Sequence, residues 1–242
     1  MKRVFPILAV LTLILLGYAF YEAMWVAPME RTMGDVQRIF YYHVPSAWTA
    51  FVLFFVNLVA SVAYLVRKNP RADAVALVSA EVGVVFCTVV LVTGPIWARP
   101  VWGIWWTWDL RLTLTLVLWL IYVSYLVLRR FSDSTQTPKL AAVLAIFGAL
   151  DVPLVYFSIW FFRTQHPQPV IGGGGSIDPR MMHVLLINWL AFSCFAFLIC
   201  WARYVLEMFR REVDEAEALE SLLEPAGRGA AGLKIPFDRE PR

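Results

Sequence analysis

Residues 4–26 read VFPILAVLTLILLGYAFYEAMWV, with no charged side chain before Glu22. The preceding MKR makes the start resemble a secretory signal. A signal's apolar core is only about 7–15 residues long and ends at a small-x-small cleavage site. This run is longer, and no convincing site of that kind follows it. It reads instead as a membrane span, for which a helix needs about 20 apolar residues.

Five further stretches of this kind follow, at roughly 44–66, 74–98, 112–128, 140–162 and 182–205. The fourth is short and needs a few loop residues to cross. The whole chain agrees: of 242 residues, 60% are hydrophobic and 16% charged, with a mean hydropathy of +0.65. A soluble domain of that size has nowhere to bury so much apolar surface. The expected fold is therefore all-α, an integral membrane protein with six transmembrane helices. Residues 1–205 form the membrane domain, with a tryptophan-rich outer loop at about 97–111, and 206–242 form a cytoplasmic tail.

Basic residues in short loops set the orientation. Lys2, Arg3, Arg67, Lys68, Arg71, Arg129, Arg130, Lys139, Arg203, Arg210 and Arg211 fall on one side. The other side holds only Arg31, Arg38, Arg99, Arg111, Arg163 and Arg180. With an even number of spans, both termini are expected in the cytoplasm. The net charge of +3 is too small to suggest a nucleic-acid partner.

The three cysteines, Cys87, Cys194 and Cys200, lie inside the predicted spans, without CxxC or CxxCH spacing. That pattern speaks against a disulfide framework, a zinc site or covalent haem attachment; packing is the natural role. No internal repeat and no nucleotide-binding loop is seen.

The unusual residues converge on the outer face. His43 precedes the second span in GDVQRIFYYHVPSAW, and His166 follows the fifth in WFFRTQHPQP; His183, the remaining histidine, opens the sixth. Between them, residues 102–113 read WGIWWTWDLRLT, with tryptophans at 102, 105, 106 and 108. Two facing neutral imidazoles fill both axial positions of a haem iron. Indole rings offer broad apolar faces to the macrocycle, and Arg99 and Arg111 suit its carboxylates. Asp109 is expected to pair with an arginine or an indole N–H and so fix the loop. The alternative is an aromatic belt at the bilayer surface, with histidines wetted by headgroup water.

WGIWWTWDLRLT resembles the "WWD" signature of the haem-handling proteins of cytochrome c maturation. Together with GDVQRIFYYHVPSAW, VYFSIWFFRTQHPQ and SIDPRM, over roughly residues 30–190, the chain is similar to the haem exporter protein C family. The resemblance implies His43 and His166 as axial ligands, and Trp102, Gly103, Trp105, Trp106, Trp108, Asp109 and Arg111 as haem-binding residues. It implies transient, non-covalent haem b in a bacterial cytoplasmic membrane, with the site facing the periplasm. It also implies four partners: a periplasmic haem chaperone, an ATP-binding cassette ATPase with its membrane subunit, and a small single-span subunit. His183 and the glycine-rich VIGGGGSIDP depart from the family pattern, the second suggesting either a loop that opens or a plain tether.

Two acids, Glu81 and Asp151, fall inside spans. They are expected to be protonated and hydrogen-bonded locally, to backbone or to Asn57, Thr88 or Ser158, rather than to form a polar route. The tail, REVDEAEALESLLEPAGRG, reads as a short amphipathic helix and then a flexible end. Haem binding and delivery, without enzymatic chemistry, is the leading functional reading. A haem permease lined by the two acids and a b-type cytochrome subunit of a quinone oxidoreductase are the alternatives. The latter normally has histidines in mid-span, which this chain lacks.

Overall fold

The structure is a computed structural model that describes residues 3–132, 134–162, 165–167 and 177–223. Lys2, Arg163, the glycine run 172–175 and the tail beyond residue 223 lie outside the described residues. So does any loop movement expected of those glycines. The chain divides into one unit, Met1–Tyr204, and a second, Val205–Arg242.

The described residues are helical, apart from turns and one isolated bridge between Glu30 and Gly34. Helix α1 (Val4–Tyr21) runs on through a π-helical turn, Glu22–Val26. A 3-10 turn, Asp35–Ile39, leads into α2 (Phe40–Arg67). Then come α3 (Pro70–Trp102), α4 (Leu110–Phe131), α5 (Thr137–Ala149), α6 (Asp151–Phe161) and α7 (Pro179–Leu223). Six stretches are long and apolar enough to cross a membrane, with α5 and α6 together making the fifth.

Local chemistry explains the joints. Lys68 ends α2 in the left-handed region, and the Asn69 side chain then accepts from the Arg71 N–H at 2.9 Å, with Pro70 as first residue of α3. A stop and a start in two residues force α2 and α3 into an antiparallel hairpin. Pro153 has no N–H for the carbonyl of Ala149, so the fifth span breaks at Leu150 into α5 and α6.

The core lies where α2, α3, α4 and α5 meet. The Phe54 and Tyr122 rings stack at 3.9 Å, with an interplanar angle of 12°. Gly83 of α3 lets this stack approach: a β-carbon there would stand 2.7 Å from Phe54 Cε1. Outside the core the spans are strongly apolar on their exposed faces, with Ile14, Phe55, Val85 and Phe147 each more than 60% exposed. Such surface calls for lipid rather than water.

Several expectations need correcting. The helices run longer than the predicted spans, so Trp102 belongs to α3 rather than to the outer loop, and His43 to the first turn of α2. The amphipathic segment after residue 205 is no separate short helix, because α7 continues to Leu223. Glu81 is not bonded locally: it takes two hydrogen bonds from Arg203, both 2.8 Å. Arg203 lies within α7, near the inner end of the sixth predicted span. Similarly, Arg129 makes a buried two-pronged ion pair with Asp73, at 2.5 and 2.8 Å. A charge in an apolar setting persists only when a partner of opposite sign satisfies it. Asn57, Thr88 and Ser158 spend their donors on the carbonyls of Ala76, Val84 and Val155 instead.

Candidate functional site

At the end of the bundle where α3 passes into α4, a cavity opens between α2, α3, α4 and the segment after α6. Its walls are mainly apolar. His43, His166, Trp102, Trp106 and Arg111 all line it.

His43 and His166, far apart in sequence, have ring centres 6.5 Å apart with planes tilted by 34°. A metal–imidazole bond is about 2 Å, with about 1 Å more from nitrogen to ring centre. Two axial imidazoles on one metal therefore stand roughly 6 Å apart, close to the spacing found.

The hydrogen bonds also select a nitrogen on each ring. Thr93 Oγ1 donates to the Val89 carbonyl at 2.6 Å, so its oxygen is left to accept from His43 Nδ1 at 2.8 Å. His166 Nδ1 lies 2.9 Å from the Pro167 carbonyl, which can only accept. Both rings thus carry the proton on Nδ1 and the lone pair on Nε2. Burial pushes the His166 imidazole down to about 4, helped by the nearby Arg111 guanidinium and opposed by the Pro167 carbonyl. It is neutral at physiological pH, the form that ligates iron.

Three buried N–H donors on the walls find no hydrogen-bond partner among the described residues: Trp97 Nε1, Trp106 Nε1 and Arg111 Nη1. Buried donors usually have one. Unsatisfied donors around an apolar cavity suit a flat apolar ligand with anionic groups at its edge.

The tryptophan-rich segment divides in two. Trp102 and Trp106 face the cavity, whereas Trp105 and Trp108 are 59% and 76% exposed. Trp108 packs edge-on against Trp106, with ring centres 5.8 Å apart. Gly103 ends α3 with φ of 79°, a left-handed conformation suited to glycine, and its carbonyl accepts from Arg99 Nη1. Arg99 therefore braces the turn instead of reaching the cavity. Asp109 N-caps α4, accepting from the Leu112 N–H at 3.0 Å and the Thr107 hydroxyl at 3.1 Å. That replaces the expected pairing with an arginine or an indole. His183 is exposed on α7 and does not line the cavity.

Comparison with known proteins adds its own finding. Residues 1–219 match the family model described as "Heme exporter protein C" (CcmC). The chain belongs to the haem exporter protein C family. Among its relatives, "Heme exporter protein C" of Bradyrhizobium diazoefficiens is 35% identical, covering 90% of this chain and 84% of the relative. The Escherichia coli K12 protein of the same name is 33% identical, covering 85% and 82%. A "putative cytochrome c biosynthesis ccmC-like mitochondrial protein" of Arabidopsis thaliana is 31% identical, covering 88% and 84%. Membership in haem exporter protein C carries haem handling in cytochrome c biogenesis, and makes this chain a membrane component rather than an enzyme.

Sequence reading did not single out Thr93, Gly94 or Trp97, which surround His43 in this family member. A threonine or glycine inside an apolar run signals nothing until its neighbour across the helix pair is known.

Proposed function

We propose that this chain holds haem at the periplasmic face of a bacterial cytoplasmic membrane and passes it to a periplasmic haem chaperone for c-type cytochrome assembly. Haem is cargo here, non-covalently and transiently bound haem b, with an iron that offers two axial positions. His43 and His166 take those positions through Nε2. Trp102 and Trp106 cover the macrocycle, while Arg111 Nη1 and the Trp97 and Trp106 indole N–H groups meet its carboxylates. Trp105 and Trp108, exposed beside the mouth, form the edge from which the acceptor takes its load. Gly103 and Asp109 hold that loop in shape.

The observation that carries this reading is the 6.5 Å spacing of His43 and His166 across one apolar cavity. The excess of basic residues in the loops at the opposite end supports the periplasmic orientation and cytoplasmic termini. An ATP-binding cassette ATPase with its membrane subunit, and a small single-span subunit, complete the proposed assembly.

The test is the absorption spectrum of detergent-purified protein, expressed with the chaperone, as wild type and as His43→Ala, His166→Ala and His183→Ala. Loss or shift of the haem Soret band in the first two, with the third unchanged, is expected. A full, unshifted band in all three, or a wild type without haem, overturns the ligand assignment.

A further inference from the structure

Resting on the haem-ligand reading above, we infer that Thr93 and Gly94 of α3 are positioning residues for His43: together they set its tautomer and its place in the cavity.

Three contacts hold the His43 ring, all from one stretch of α3. Thr93 Oγ1 accepts its Nδ1–H at 2.8 Å. The Trp97 indole packs edge-on, with ring centres 5.8 Å apart and planes at 72°. Gly94 lies directly beneath: a β-carbon built there would stand 3.4 Å from His43 Cε1, already at contact. Residues 93, 94 and 97 share one face of a helix, since three- and four-residue steps return to the same side. A branched side chain at position 94 would crowd the ring.

The direction of the hydrogen bond follows from the helix. Thr93 uses its one proton on the carbonyl of Val89, four residues earlier. Its oxygen then has lone pairs only, so the imidazole must be the donor. The Nδ1–H tautomer is thereby enforced, and Nε2 keeps the lone pair that a metal requires. Donating Nδ1–H to an oxygen also makes the ring a stronger base. Loss of outer contacts of this kind lowers metal affinity by about 10–100-fold. His166 obtains the same tautomer from a backbone carbonyl. Side-chain substitution can therefore alter one ligand and leave the other intact.

The test compares Thr93→Val, Thr93→Ser and Gly94→Val with wild type. Valine matches threonine in shape and lacks the acceptor; Thr93→Ala serves as a second variant if valine fails to fold. Protein carrying nitrogen-labelled histidine is studied without haem, the three histidines being assigned by single substitution. Wild-type His43 should show the Nδ1–H tautomer, lost in Thr93→Val and kept in Thr93→Ser. With haem bound, Thr93→Val should retain it about 10–100-fold more weakly and at a raised midpoint potential, because a less basic ligand favours ferric iron less. Thr93→Ser should restore both properties. Gly94→Val should weaken haem while the Nδ1–H signal persists.

Thr93→Val with the wild-type tautomer, affinity and potential overturns the inference. If His43→Ala itself leaves haem spectrum and affinity unchanged while Thr93→Val still alters the tautomer, the ligand reading has failed rather than the hydrogen bond.

Discussion

Arg203 of α7 grips Glu81 of α3 through two N–H···O bonds, each 2.8 Å, between residues 122 positions apart in the chain. The two side chains are 34% and 30% exposed, on helices whose surroundings are apolar. The pair ties α7 to the α2–α3 hairpin, and it decides what this acid does. A carboxylate committed to a guanidinium is a poor lining for a haem route. Arg203→Ala should therefore lower stability by about 2–3 kcal/mol, between the values for exposed and buried pairs. Glu81→Gln should do somewhat less harm, and in both variants the haem Soret band should persist. Thermal unfolding in detergent and the haem spectrum check this together. Loss of haem delivery in Glu81→Gln, with stability and the Soret band both intact, would favour the permease reading instead.

The tryptophans split by exposure, and their variants should split likewise. Trp102→Ala and Trp106→Ala each remove cavity wall and should weaken haem retention by about 1.5–3 kcal/mol, roughly 10–100-fold. Trp105→Ala and Trp108→Ala should leave the spectrum unchanged and slow transfer to the acceptor. Haem titration and a transfer assay with the chaperone separate the two effects. Unchanged retention in all four variants would return them to a common aromatic belt.

Asp109 lies at the start of α4 as its N-cap. Asp109→Ala should cost about 1 kcal/mol of stability and loosen the loop. Asp109→Asn keeps an oxygen that caps equally well and should be close to wild type in thermal unfolding. A large loss of haem in the asparagine variant, with the melting temperature intact, would show that the charge matters beyond the cap.

Gly83 is one of the two tightest glycine positions among the described residues. The Phe54 ring cannot retreat from a new methyl group at 2.7 Å, because it is stacked on Tyr122. Gly83→Ala should destabilise the bundle by about 1–3 kcal/mol, and Gly83→Val more. An alanine variant that melts like wild type would mean that α2 and α3 can separate without loss.

Span count, helical class and the grouping of rare residues at one end were legible in the chain itself. Apolar length and basic-loop asymmetry are one-dimensional signals, set by the thickness of the bilayer and the charge bias of its two sides. His43, His166 and the tryptophan-rich segment stood out because histidine and indole are scarce in apolar helices and here crowd one end. What the linear order could not hold is pairing. Only the packed helices bring Arg203 to Glu81 and Arg129 to Asp73. Only they bring the His43 and His166 rings together, turn two tryptophans inward and two outward, and set Thr93 beside His43. Each of those outcomes depends on which face of a helix meets which neighbour, and that is decided by helix packing across the bundle, not by distance along the chain.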